Sequence, residues 1–311
     1  MFIRVFPWRR SVAALTVLVA SAAAQEPGPR APRLRLEAVA AARDGRPVTD
    51  LRMDEVEVWI GVYRVPIDSF TFVTAQDDSA GRLIVLLLDD VTLEPGASPR
   101  VKDIARRLIR RLAPGDRMAI GGLDGGELDI TGDPASLTRS LDRYMGGRQI
   151  LPPDRLGEQT LRTIGSVAFR LAEMPGRKAI VGIGPSWIFD TPIPVGGIGR
   201  DVRQEWVAAH RALAMARAQL YVIDPAGVGR ARADSGASGF ARDTGGHSFA
   251  NSNDPDRAIE QIMRETEQYY RIELQDPPVF RSSDLREVDL RVRRRGVTIR
   301  SRRWIPGSET P

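Results

Sequence analysis

Residues 82–93 read RLIVLLLDDVTL: apolar side chains run without alternation from Leu83 to Leu88 and end on Asp89 and Asp90. An unbroken run of branched aliphatics suits a strand buried on both faces, as in parallel sheets covered by helices. Ligands of open α/β sheets bind at the carboxyl ends of such strands. Asp89, Asp90 and Thr92 therefore mark the edge where function is expected.

The pattern after this strand alternates between helical and strand periods. Val101, Ile104, Ala105, Leu108, Ile109 and Leu112 fall at helical spacing behind a Pro/Gly loop at 94–99. Residues 117–123 predict a strand, and 127–131 a short one forming a hairpin with it. Asp133 followed by Pro134 predicts an N-cap and first helical position, with the helix running to Met145. Helices are predicted at 157–174, 202–218 and 254–269, and one helical turn at 238–243. Strands are predicted at 178–184, 220–223 and, at an edge, 247–250, with a long Gly/Pro loop at 185–200.

Both ends of the chain read differently. Leu34 onward alternates with period two, Asp44-Gly45 is a hairpin pair, and 56–60 and 62–72 are strand-like. Short strands return at 271–274, 287–292 and 297–302. The expected fold class is α/β: a doubly wound, mostly parallel sheet at 80–269, with a small β unit formed by N- and C-terminal strands at 34–76 and 270–305.

The first residues change the picture of where this fold works. Arg4, Arg9 and Arg10, the apolar run 12–20, and Ala22-Ala23-Ala24 have the three parts of a secretory signal peptide at 1–24, followed by a Pro-rich linker at 25–33. An exported protein, periplasmic or secreted, is expected, with no stable transmembrane helix after cleavage. Removing 1–24 takes away three arginines and no acids, so the formal charge falls from +5 to +2. That balance gives no reason to expect a nucleic-acid partner. There is no cysteine, so neither a disulfide framework nor thiolate chemistry is available.

Several features, taken together, resemble the bacterial exported proteins related to the von Willebrand factor type A domain. They are Gly45-Arg46-Pro47-Val48 before Val56 and Val58, the junction Pro175-Gly176-Arg177-Lys178, Tyr221-Val222-Ile223-Asp224-Pro225, Thr244-Gly245-Gly246, and Tyr269-Tyr270. The resemblance implies a von Willebrand factor A-like domain at 80–269 and recognition of a protein or cell-envelope partner at the carboxyl ends of the strands. Members of this fold often hold Mg²⁺ through Asp-x-Ser-x-Ser, a Thr from a second loop and an Asp after the fourth strand. This chain departs from that pattern. Val91 and Leu93, or Thr92 and Glu94, stand at the two Ser positions, Arg148 stands where Thr is expected, and Gly184-Pro185-Ser186 carries no Asp. No metal or other cofactor is expected; if an ion binds, Asp89, Asp90 and Thr92 are its candidate ligands. Arg148 is instead expected to bring its guanidinium to Asp89 or Asp90 in place of the lost cation.

Enzyme signatures are poorly met. Asp-x-Asp fails at Val91 and Thr92, and a nucleophile elbow fails because Ile188 replaces the last Gly after Gly184-Pro185-Ser186. Gly196-Gly197-Ile198-Gly199 does not follow a strand. His210 and His247 have no nucleophile placed beside them, so both read as structural. The arginines at 291–303 read as the solvated outer face of a hairpin. The expected binding face comprises Asp89, Asp90, Thr92, Glu94, Arg148, Ser186, Trp187 and Phe189, the two aromatics either exposed for a partner or packed over the sheet. The expected function is a non-enzymatic binding module without metal. The alternative is a divalent-metal-dependent hydrolase or adhesion site using Asp89 and Asp90.

Overall fold

The computed structural model describes residues 34–75, 77, 80–93, 95–147, 153–184, 202–227, 237–250, 252–275 and 285–307. The expected signal peptide and linker, Glu94, Arg148, Ser186, Trp187 and Phe189 lie outside the described residues. Four strands open the described chain: β1 (Arg35–Ala42), β2 (Val56–Ile60), β3 (Tyr63–Val65) and β4 (Ile67–Val73). The α/β segment runs β5 (Arg82–Leu88), α1 (Ser98–Ile109), β6 (Arg117–Gly122), α2 (Pro134–Asp142), α3 (Pro153–Leu171) and β7 (Arg177–Ile183). It continues with α4 (Arg203–Ala216), β8 (Ala218–Ile223), α5 (Ala237–Asp243), β9 (Ser248–Phe249) and α6 (Pro255–Glu267). Four strands follow: β10 (Tyr269–Leu274), β11 (Leu285–Val292), β12 (Val297–Ser301) and β13 (Trp304–Pro306).

The central sheet has the order β6-β5-β7-β8-β9, and every pairing in it is parallel. All seven residues of β5 are buried, and their alternation divides them between two cores. Leu83, Val85 and Leu87 pack with α3, α4 and Phe240 of α5. Ile84, Leu86 and Leu88 pack with α1, α2 and α6 on the other face. The unbroken apolar run in the sequence is thus the direct record of helices covering both faces.

The remaining eight strands form two four-stranded sheets, β12-β1-β10-β4 and β13-β11-β2-β3, around a third core built on Leu36, Val58, Ile60, Tyr270 and Ile272. The Tyr270 hydroxyl ties in the loop after β1, accepting from Leu51 N–H (2.9 Å) and donating to the Val48 carbonyl (3.0 Å).

Charged side chains fill the seam between this β unit and the parallel sheet. Arg177 of β7 donates to Glu37 of β1 and to Gln219 of β8, and its guanidinium lies 4.0 Å from the ring centre of Tyr269. Arg300 of β12 pairs with Glu265 of α6. Lys178 Nζ and Arg302 reach the carbonyls of Ala216 and Leu213, each at 3.1 Å. Those carbonyls belong to the last turn of α4, where the helix dipole presents negative charge. Burial pulls both cations below their ordinary pKa, Arg302 to about 10.

Several expectations need correction. The hairpin over 117–131 reduces to a single Met118–Thr131 bridge. Leu128 accounts for this: its side chain sits over Gly121, where an added Cβ would lie 2.6 Å from it, so the segment packs as an irregular arc. Helix α1 begins at Ser98, with Pro99 in its first turn, where a missing N–H costs nothing. Strand β13 was not expected. The C-terminal arginines form a solvated face only in part: Arg291, Arg293, Arg295 and Arg303 are exposed, but several are tied to acids and one is buried. Arg293 and Arg294 pair with Glu57 and Glu55, Arg303 pairs with Glu287, and Arg302 is buried. At the amino end of the sheet Gly81 and Gly176 have φ of 67° and 92°, and a Cβ on Gly176 would lie 2.2 Å from the Gly81 carbonyl oxygen. No side chain fits there.

Candidate functional site

Strands β5, β6, β7 and β8 point their carboxyl ends at one edge, and β5, β6 and β8 are followed there by acidic residues. Asp89 follows β5 directly and is held in the sheet by its N–H, which donates to the Ile183 carbonyl of β7 (3.0 Å). Its side chain turns back on its own loop. Oδ1 accepts from the N–H groups of Val91 (3.1 Å) and Thr92 (2.7 Å), and Oδ2 accepts from the Thr92 hydroxyl. The Asp89 carbonyl accepts from the Tyr144 hydroxyl at 2.6 Å. Burial first, then the negative charge of Asp89 and Asp90, pushes the Tyr144 phenol far above its ordinary pKa, so it stays a donor.

Asp90 faces the other way. Its Oδ1 accepts from Leu123 N–H at the end of β6 (2.8 Å), and its carboxylate lies over Gly122, where a Cβ would stand 2.3 Å from Oδ2. Burial, and secondly the nearby Asp124, raise its pKa. The Leu123 carbonyl is held by the Thr163 hydroxyl (2.8 Å) and the Gln159 amide (3.1 Å) of α3. At the end of β8, Asp224 accepts from Ala226 N–H (2.8 Å), and burial raises its pKa while Arg100 opposes the rise.

Asp89 and Asp90 are both buried and Thr92 is half-buried, so these residues shape the edge more than they cover it. The exposed polar groups lie in the loop after β6, where Asp124, Glu127 and Asp129 stand at the surface and none forms an ion pair among the described residues. The sequence reading passed over them. Their signal was DGGELD, acids and glycines directly after a strand. His210 is remote from chemistry of this kind: its ring lies 4.0 Å from that of Trp206 and 4.2 Å from that of Phe240. His247 packs on Phe249 of the edge strand β9.

The candidate ligands do not suit Mg²⁺, which takes about six oxygens in near-octahedral array. Asp89 Oδ1 already accepts two N–H groups, the Thr92 hydroxyl is committed to Asp89, and Asp90 turns toward β6. Val91 and Leu93 are buried and apolar. No protein-family model and no curated protein matches the chain. What the geometry supplies is an α/β edge whose first loop is built by an Asp staple.

That staple has a measurable weight. Asp89→Ala removes three accepted hydrogen bonds and strands the buried N–H of Val91 and the half-buried one of Thr92, at an expected cost of about 2–3 kcal/mol. Asp89→Asn, which keeps Oδ1, should lose less than half of that in urea denaturation. An Ala variant as stable as the parent would remove the staple role.

Proposed function

We propose that the protein is an exported, von Willebrand factor A-like binding module. It recognises a protein or cell-envelope partner at the carboxyl edge of its parallel sheet, without a metal ion and without catalysis. The observation that carries this reading is the Asp89 carboxylate, satisfied by Val91 and Thr92 of its own loop. In a metal-dependent adhesion site or hydrolase that carboxylate would be held for a cation. Here it fixes the mostly buried loop after β5 that underlies the edge, so direct contact with a partner falls to the exposed loop after β6. Exposed Asp124, Glu127 and Asp129 favour a basic patch on the partner. Export rests on the signal-peptide pattern of 1–24.

The alternative, a divalent-metal hydrolase or adhesion site, draws on one observation: Asp90 lies close enough to Asp124 for the two charges to repel. Thermal unfolding with Mg²⁺, Mn²⁺ and Ca²⁺ separates the readings, because an ion bound only by the folded state raises its stability. The binding module predicts no shift with any ion. It also predicts partner capture from envelope extracts that survives chelation and is lost when Asp124, Glu127 and Asp129 are replaced by Lys. An upward shift abolished by Asp90→Asn would establish the metal-dependent alternative instead.

A further inference from the structure

Helices α3 and α4 cover one face of the parallel sheet and leave a groove between them. They run in the same direction: Arg162 meets Glu205 at 3.2 Å, and one turn further on Gly165 lies against Ala209. The groove has a volume of about 670 Å³. Its floor is small and apolar, with Gly165, Ala208, Ala209 and Ala212. Phe169 stands at one end, 71% exposed, the most exposed aromatic side chain among the described residues. Most apolar side chains scattered on surfaces need no explanation, but a bulky exposed ring beside an apolar groove is a different case.

We infer that this face is where two copies of the chain meet about a two-fold axis. A two-fold contact requires one patch to be complementary to itself, carrying both the projection and the recess that receives it. This patch does: Phe169 is the projection and the Gly165–Ala208–Ala212 floor is the recess. The charges fit the same axis. Arg170, next to Phe169, is exposed and makes no ion pair among the described residues. Glu205, at the opposite end of the groove, shares Arg162 with Glu158. An axis through the middle of the groove exchanges its ends. Each Phe169 then lies on the other copy's floor, and each Arg170 comes to the other's Glu205. The contact leaves the carboxyl edge of both sheets uncovered, so it is independent of the binding reading above.

Sedimentation velocity over a wide range of concentration tests the contact on the full chain. A reversible dimer is expected. Phe169→Asp should weaken it at least about thirtyfold, the size of a central aromatic anchor. Ala208→Trp, which fills the recess, should weaken it comparably. Arg170→Glu should weaken it about fivefold at low salt and less at high salt. All three positions are exposed, so thermal unfolding of the variants at high dilution should match the parent. A chain that is monomeric at every concentration overturns the inference. So does a dimer that tolerates either Phe169→Asp or Ala208→Trp, because projection and recess must fail together.

Discussion

Replacing Asp116 by Ala is expected to cost about 3–5 kcal/mol of folding free energy, the range for breaking a buried ion pair from one side. Arg82, at the first position of β5, is buried, and its guanidinium donates to Asp116 through Nε (3.0 Å) and Nη2 (2.5 Å). Nη1 is spent on the Met263 carbonyl (3.2 Å), so no other carboxylate is bonded to it among the described residues. The same Asp116 carboxylate accepts from the N–H groups of Arg82 (3.1 Å) and Ala113 (2.8 Å), fixing the turn between α1 and β6. Removing it leaves a buried cation without its carboxylate and the buried N–H of Arg82 unbonded, while the N–H of exposed Ala113 can turn to water. Urea denaturation measures the loss. The double variant Arg82→Met, Asp116→Leu should recover more than half of it, because most of the cost is the orphaned charge and not the absent pair. A single variant that loses less than about 1 kcal/mol, the worth of an exposed pair, would mean that Arg82 finds water.

The second large effect depends on pH. Burial drives the His210 imidazole from its ordinary value of 6.5 down to about 3, helped by Arg302. Its Nε2 is buried with no hydrogen-bond partner. Between those two values the unfolded chain holds a proton that the folded chain refuses. Stability therefore falls as pH drops from about 6.5 toward about 3, by up to about 4 kcal/mol from this one residue. Above pH 7 the histidine is neutral in both states and contributes no slope. His210→Phe keeps a flat ring between Trp206 and Phe240 and cannot be protonated. Urea midpoints taken from neutral to acid pH should drop less steeply in the variant than in the parent, with the gap opening below about pH 6.5. Parallel curves would show that acid sensitivity comes from elsewhere.

The parallel sheet was legible because burial on both faces leaves a residue-level trace. Leu83 to Leu88 carry no polar side chain, and Asp133-Pro134 and Asp254-Pro255 mark helix starts through caps whose bonds are local. Local signals failed where long-range contacts decide. Strand β13 exists because Trp304 packs against Trp206 of α4 and donates to Asp243, partners far away in sequence. The arginines at 300 and 302 look like any exposed basic hairpin until Glu265 and the end of α4 are brought to them. At the edge, the type and position of Asp89 and Asp90 were readable, but not that they face opposite ways. That direction depends on Leu123 and on the turn through Thr92. Nothing in the pattern of α3 and α4 alone announced a groove, which appears only when the two helices are laid side by side.

The sheet β12-β1-β10-β4 has a consequence for the order in which the molecule can assemble. Within it, each strand is bonded only to strands from the other end of the chain. During synthesis β1 and β4 emerge early with no partner in this sheet. They stay open until about two hundred residues later, when β10 appears, and β1 gains its second neighbour only with β12. The α/β segment between them has its contacts closer in sequence and can form first, while pairings of such separation are slow. Among the described strands, β1 therefore waits for β10 and β12, and this sheet acts as a clasp that closes only after the α/β segment has been made.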